Sequence, residues 1–374
     1  MSSQQMKSSS SKHKVESLNS AIQQLQIWFP KLRCLLLSCD GELLIEHYAN
    51  GCNEQSLHDL RSATKSFIGA LYGIMLDRQE ILPPSTAIFA CFKDILPRSR
   101  ANDTLWHGLT PYHLLTMTSG FHWTTGPKLG ERYIHAFHRS PSWARFALRL
   151  PIQADKLGQF QYRSIDSHLL SMLMTRCTGR TADEYAARYL FFDPLQIHRF
   201  EWLRSPDGDT AGHIGLMLTG RDMLKFGEVM THQGSWPMTT NPLSSPVLSE
   251  SHAAMTRRQT MADTQILPYS WASESMADHT DGCPGFGTYG YQRWNDLLLS
   301  QSCSYALGHG GQIICSIPAL RMTIAMASDP KVRRWRHPRQ YFEQILIPAS
   351  LQARKTQGES LLMKETSVME RLTT

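Results

Sequence analysis

Apolar residues at Leu18, Ile22, Leu25 and Phe29 recur with a helical period, and Pro30 ends that run. Two strands are predicted next: a continuous apolar run over 32–38 and a return strand over 42–48, joined by the turn signal Asp40-Gly41. From Ser66 onward Phe67, Ile68, Leu71, Ile74 and Met75 mark a buried helix, whose small residues Gly69, Ala70 and Gly73 let neighbours approach closely. After Leu82-Pro83-Pro84 the pattern turns helical and loop-rich. Helices are predicted to open at Thr110-Pro111, to run over 142–150 and 165–178, and to start again at Thr181 and Thr219. Residues 233–284 are Ser/Thr/Met-rich with little periodicity and read as a long surface excursion. Strand signals return at 289–294, 304–307, 312–317 and 322–327, and a closing helix is predicted over 337–351.

Strands first, strands last and helices between predict an α/β (α+β) fold. Its antiparallel sheet is formed by the two ends of the chain and flanked by helices, and it carries an inserted, mostly helical domain. The boundaries read as a disordered leader over 1–17, a sheet domain from 18–78 plus 284–351, a helical insertion over 79–283 and a polar tail over 352–374.

Composition changes this picture little. A hydrophobic fraction of 41% is ample for a packed core, and there is no apolar run long enough to cross a membrane. The Ser/Lys-rich start lacks the apolar centre of a secretory signal, so the expected location is cytoplasmic. Eight cysteines without tight paired spacing fit free thiols rather than a disulfide or zinc framework. Part of the net charge of +6 is local, in Lys331, Arg333, Arg334, Arg336 and Arg339. That run reads either as a solvated helix start or as a docking patch for an acidic partner. Motifs for reading nucleic acid are absent.

Three stretches carry candidate chemistry. Ser62 and Lys65 lie three residues apart at the start of the buried helix, so their side chains share a face. They are either an activated nucleophile with its amine or a cap with a surface lysine. The spacing alone says little, because Ser9/Lys12, Ser11/Lys14 and Ser328/Lys331 repeat it; only Ser62/Lys65 opens an apolar helix behind a strand pair. Tyr162 and Ser164 precede the long helix over 165–178, where a loop on rigid structure presents a phenol and a hydroxyl, or else a core tyrosine. Tyr48-Ala49-Asn50 is a decoy for that pattern at a strand end. His309-Gly310-Gly311-Gln312 leads into a strand, and its glycines imply close approach to the backbone, where free N–H groups can hold an oxyanion; the alternative is a plain turn. His135/His138 have i,i+3 spacing, but a structural or surface role is favoured over metal binding.

Taken together, these residues resemble the serine β-lactamase and penicillin-binding-protein superfamily, and within it the class C-like branch of esterases, 6-aminohexanoate-dimer hydrolases and acyltransferases. Ser-x-x-Lys, Tyr-x-Ser/Asn and a Lys/His-Thr/Gly-Gly triplet occur in the family's order, separated by about 100 and then about 147 residues. The segments 114–120, 167–171 and 221–227 resemble family segments too, and the similarity spans roughly 32–329. The resemblance implies Ser62 as the acylated nucleophile, Lys65 as base or positive neighbour, and Tyr162 as proton shuttle. It implies an oxyanion hole from the backbone N–H groups of Ser62 and Gln312, and substrate contacts at Ser164, His309, Gly310 and Gly311. No cofactor or metal is implied. True class C β-lactamases carry lysine where His309 stands and asparagine where Ser164 stands, which points away from β-lactam hydrolysis and toward esters or amides. The leading expectation is therefore a serine hydrolase acting on a small-molecule ester, amide or other acyl donor. One alternative is an acyltransferase with an acidic carrier protein docked at Lys331–Arg339. The other is a catalytically silent scaffold or sensor.

Overall fold

A computed structural model describes residues 18–236 and 264–356. The predicted leader, the middle of the Ser/Thr/Met-rich stretch and most of the polar tail lie outside these residues.

The first helix, α1, spans residues 18–28. Strands β1 (Leu32–Cys39) and β2 (Glu42–Tyr48) follow and pair antiparallel across the Asp40-Gly41 turn. The closing strands are β3 (Thr280–Cys283), β4 (Gly287–Tyr289), β5 (Trp294–Leu298), β6 (Gln301–Gly308), β7 (Gln312–Ile317) and β8 (Met322–Ser328). All eight form one sheet in the order β2-β1-β8-β7-β6-β5-β4-β3. The two chain ends meet where β1 pairs antiparallel with β8, Leu36 opposite Ala325.

The continuous apolar run of β1 reflects burial on both faces. Cys34 and Leu36 join the core shared with the helical region, whereas Leu35, Leu37 and Cys39 join a second core beneath α1 and the C-terminal helix. That helix, α5, spans residues 339–356 and contains a π-turn at Phe342–Leu346. The widened turn lies just ahead of Pro348, whose ring lacks an N–H and would crowd a regular helix. Tyr341 fastens α5 to α1, its hydroxyl donating to the Ala21 carbonyl at 2.7 Å.

Against the other face lie α2 (Thr64–Asp77) and α4 (Gly220–Thr231), with α3 (Ser164–Thr178) packed on α2. The small residues predicted to let neighbours approach α2 do so. At Gly73 an added Cβ would lie 2.0 Å from the Trp271 ring, and the Trp271 indole N–H donates to the Gly69 carbonyl at 3.0 Å. Trp271 sits in the helix Tyr269–Ser275, inside the stretch read from sequence as a surface excursion, and it is buried. A short element with one indole anchor has no periodicity to read. Similarly, the single strand expected over 289–294 is two strands, β4 and β5, around a turn held by Gly290 N–H on the Arg293 carbonyl, 2.9 Å. The C-terminal strands of the sheet begin at Thr280, four residues before the expected boundary at 284.

Candidate active site

The turn Arg61–Ala63 is a 3-10 segment leading into α2, and it carries Ser62. Arg61 adopts φ +51°, a left-handed conformation that costs a non-glycine residue energy. It is held by its N–H bond to Asp59 Oδ1, 2.8 Å, and by its guanidinium 3.5 Å from Asp59 Oδ2. Neither Leu60 nor Ala63 forms a side-chain cap. The reading of Ser62 and Lys65 as a cap with a surface lysine is thereby excluded, since Lys65 is 1% exposed.

Lys65 Nζ lies 3.0 Å from Ser62 Oγ, 3.3 Å from Ser164 Oγ and 3.3 Å from the His213 carbonyl oxygen. It also stands 4.7 Å from the centre of the Tyr162 ring. Burial lowers its pKa from 10.5 to about 8, opposed by Glu131 and Asp166 and assisted by Arg61. Tyr162 is buried between the Trp294 ring, stacked at 5.7 Å, and Tyr289, edge-on at 6.3 Å. Burial and the Glu131 charge raise its pKa, against a hydrogen bond with Ser62. Ser62, Lys65, Tyr162 and Ser164 are thus brought together.

The Tyr162 phenol and the Ser164 hydroxyl owe their places to a buried frame. Arg163, between them, donates to the Phe121 and Met117 carbonyls at 3.2 and 3.1 Å. Asp166, in the first turn of α3, accepts from Ser119 Oγ at 2.7 Å and lies 3.9 Å from Arg163. Burial outweighs that cation and lifts the Asp166 pKa to about 7.

The third motif is placed differently from the first two. Gly308, the last residue of β6, packs on the nucleophile turn: a Cβ there would lie 2.1 Å from the Leu60 carbonyl oxygen and 3.1 Å from Arg61 Cβ. Only glycine lets the hairpin over 308–312 come alongside Ser62. Gln312 pairs with Gly308 across this hairpin, and its buried side chain bonds the Ser328 carbonyl and N–H at 2.9 and 3.0 Å, clasping β7 to β8. Gly310 and Gly311, at φ +89° and +90°, form the turn. The exposed His309 imidazole donates from Nε2 to the Val332 carbonyl, 2.7 Å, so its hydrogen bond ties the hairpin to the basic segment. The decoy Tyr48 bonds Glu46 on the edge strand β2. His138 has its ring nitrogen 2.8 Å from that of His213, in an aromatic packet behind Lys65.

Sequence reasoning missed Gly308, His213 and Glu131. A glycine ending a strand ahead of His309-Gly310-Gly311 was a readable signal for the first. His213 contributes a backbone carbonyl, which no residue type advertises.

A cleft of about 310 Å³ opens beside Tyr162, walled by Thr125, Gly126, Leu129, Phe160 and Gly282. A larger cavity of about 970 Å³, at Ser273, Asp278, Gly287 and Asn295, includes none of the motif residues in its lining.

This fold and this Ser-Lys-Tyr grouping define a serine β-lactamase/penicillin-binding-protein architecture. The chain belongs to the Beta-lactamase family, whose model matches residues 35–331. Among solved structures it is similar to a candidate 6-aminohexanoate-dimer hydrolase of Bacillus anthracis, with TM-score 0.65 and 17% identity over 88% of this chain and 80% of that one. It is also similar to the octameric penicillin-binding protein homologue of Pyrococcus abyssi, with TM-score 0.62 and 16% identity over 85% and 74%. The penicillin-binding protein of Bacillus halodurans matches with TM-score 0.57 and 14% identity over 82% and 94%. Among the described residues no helix is long and apolar enough to cross a membrane.

Proposed function

We propose that the protein is a serine hydrolase that forms an acyl-enzyme on Ser62 and hydrolyses an ester or a small amide. The observation that carries this reading is the buried Lys65 amine 3.0 Å from Ser62 Oγ, with a pKa lowered to about 8. Ser62 Oγ attacks the acyl carbon and passes its proton to Lys65, forming the Oγ–C bond. The C–O or C–N bond to the leaving group then breaks, and the leaving group takes a proton relayed from Lys65 through Tyr162. Burial keeps Tyr162 protonated and able to donate. Water gives up a proton through Tyr162 to Lys65 and attacks the acyl carbon; the Oγ–C bond then breaks, the acid leaves, and Ser62 Oγ takes that proton back from Lys65. Developing oxyanion charge falls to the Ser62 N–H and the hairpin backbone at Gln312, which Gly308 brings alongside. A fluorophosphonate probe labels the wild-type enzyme, and Ser62→Ala abolishes labelling; labelling that survives the substitution overturns the assignment.

One observation favours acyl transfer as a second reading. A groove of about 340 Å³ is lined by Trp28, Lys31, Gly310, Arg334, Trp335 and Arg336. It adjoins the third motif at Gly310, and Lys331, Arg333, Arg334 and Arg336 are exposed on a loop, not on the start of a helix. Arg339 belongs elsewhere, since it pairs with Asp296 at 2.5 Å. An acidic carrier fits that charge. Arg334→Ala with Arg336→Ala then raises KM for a carrier-bound donor while leaving a small nitrophenyl ester unaffected; equal effects on both remove the docking role.

A further inference from the structure

Glu131 belongs to none of the motifs, yet both oxygens of its carboxylate bond Ser164. Its Oε1 accepts from the Ser164 N–H at 2.6 Å and the Trp123 indole N–H at 2.8 Å, and its Oε2 accepts from Ser164 Oγ at 2.5 Å. A serine hydroxyl has one proton. With that proton on Glu131, Ser164 Oγ can only accept from Lys65, 3.3 Å away. The His213 carbonyl, also at 3.3 Å, accepts by its chemistry. A neutral amine has two N–H bonds and one lone pair. With both N–H groups directed at these obligate acceptors, the lone pair remains for the Ser62 hydroxyl at 3.0 Å.

We propose that Glu131 is a positioning residue that sets the direction of this hydrogen-bond chain, so that Lys65 receives the Ser62 proton instead of donating to it. The inference rests on the acyl-enzyme reading above. It also explains a serine at position 164. An asparagine amide there would offer N–H donors to the amine as readily as an acceptor, whereas a hydroxyl gripped by a carboxylate is an acceptor only. The groups facing Lys65 are Arg61 on its own turn, Glu131 on the loop, Tyr162 and Asp166 at the start of α3, and His138 and His213 behind it.

Glu131→Gln tests this directly. Its amide N–H reverses the bond to Ser164, whose proton then turns to the lysine lone pair and removes the base from Ser62. The expected result is a loss of about a hundredfold in the rate of fluorophosphonate labelling and of nitrophenyl acetate hydrolysis, the scale of a lost general base. Because the Glu131 charge holds the lysine pKa up, the acid limb of the pH profile also moves to lower pH, which a merely structural lesion would not do. Ser164→Ala slows the reaction too, but keeps the charge and so leaves the limb in place. In the double variant the rate losses do not multiply, because the two residues act as one unit. Wild-type rate and limb in Glu131→Gln overturn the proposal, as do losses that multiply with an unmoved limb. If Glu131→Gln fails to fold by circular dichroism, Glu131→Asp carries the test: it withdraws the oxygens but keeps the charge, so it must slow labelling without shifting the limb. A wild-type enzyme that does not label at Ser62 overturns the acyl-enzyme reading itself, a failure distinct from a fully active Glu131→Gln.

Discussion

At the scale of single residues, the site is built from groups whose protonation is set by burial. Lys65 has lost its water and faces cations as well as carboxylates, and its pKa of about 8 makes its neutral form available above that pH. Acylation therefore rises with pH along a limb centred near 8, measured as labelling rate against pH; a rate flat from about pH 6 to 9.5 contradicts Lys65 as base. The same shift bears on stability. The unfolded lysine stays protonated up to its ordinary value of 10.5, so between about 8 and 10.5 the unfolded state binds more protons and this group's contribution to stability rises with pH. Asp166 acts in the opposite sense. Its carboxyl is lifted from 3.8 to about 7, so its contribution is fully present below 3.8 and is lost as pH rises through 7. Asp166→Asn removes that term. Compared with wild type in urea titrations, the variant should fare relatively better at pH 8 than at pH 5; a pH-independent difference contradicts a neutral buried Asp166.

At the scale of elements, the joints are polar groups on irregular segments. Gln292, in the turn between β4 and β5, accepts from Ser167 Oγ of α3 at 2.6 Å and donates to the Leu114 carbonyl at 2.8 Å. Its own carbonyl accepts from Ser66 Oγ of α2 at 2.8 Å. One buried residue thus joins α2, α3, the short helix Pro111–Leu115 and the sheet. Gln292→Leu leaves the Ser167 hydroxyl and the Leu114 carbonyl without this partner and should cost about 2–4 kcal/mol, read as a shift in denaturant midpoint at unchanged slope. A loss below about 0.5 kcal/mol would mean that water replaces the amide. This node also marks the limit of what sequence patterns reveal. Periodicity exposes elements with a repeated apolar face, as in β1, β2, α2 and α3. Motif order exposes Ser62, Lys65 and Tyr162, because three short patterns recur in a fixed order and at fitting separations, although each alone is common. Gln292, Trp271, Gly308 and Glu131 act singly, through contacts with residues far away in the chain. A lone glutamine or glutamate in a loop looks the same whether it faces water or a catalytic hydroxyl. Even His309, picked out by its motif, directs its imidazole to Val332, because a residue type does not fix a rotamer.

At the scale of the whole molecule, the site is assembled from three distant parts of the chain. Ser62 and Lys65 follow the N-terminal hairpin, Tyr162 and Ser164 open α3 in the middle, and the hairpin at Gly308 closes the sheet near the C-terminal end. What holds the first and last together is the β1–β8 pairing, with Leu36 buried in the core shared by α2 and α4. The last part joins the first only when that pairing forms, so full catalytic competence and global folding should be lost as one event. In a guanidinium titration, fluorophosphonate labelling of Ser62 and far-ultraviolet ellipticity should fall along the same curve. Leu36→Ala removes a fully buried side chain from the joint, at a cost of about 3 kcal/mol, and should move both curves together to lower denaturant. Labelling that disappears while ellipticity persists would instead place the site on a separately melting unit. The Arg61 turn would then be the first element to suspect, since its left-handed residue is held by Asp59 and by the close approach of Gly308. Gly308→Ala separates the two cases. An added methyl 2.1 Å from the Leu60 carbonyl must push the hairpin away from Ser62, so the variant should lose labelling even where its denaturant midpoint stays near that of the wild type.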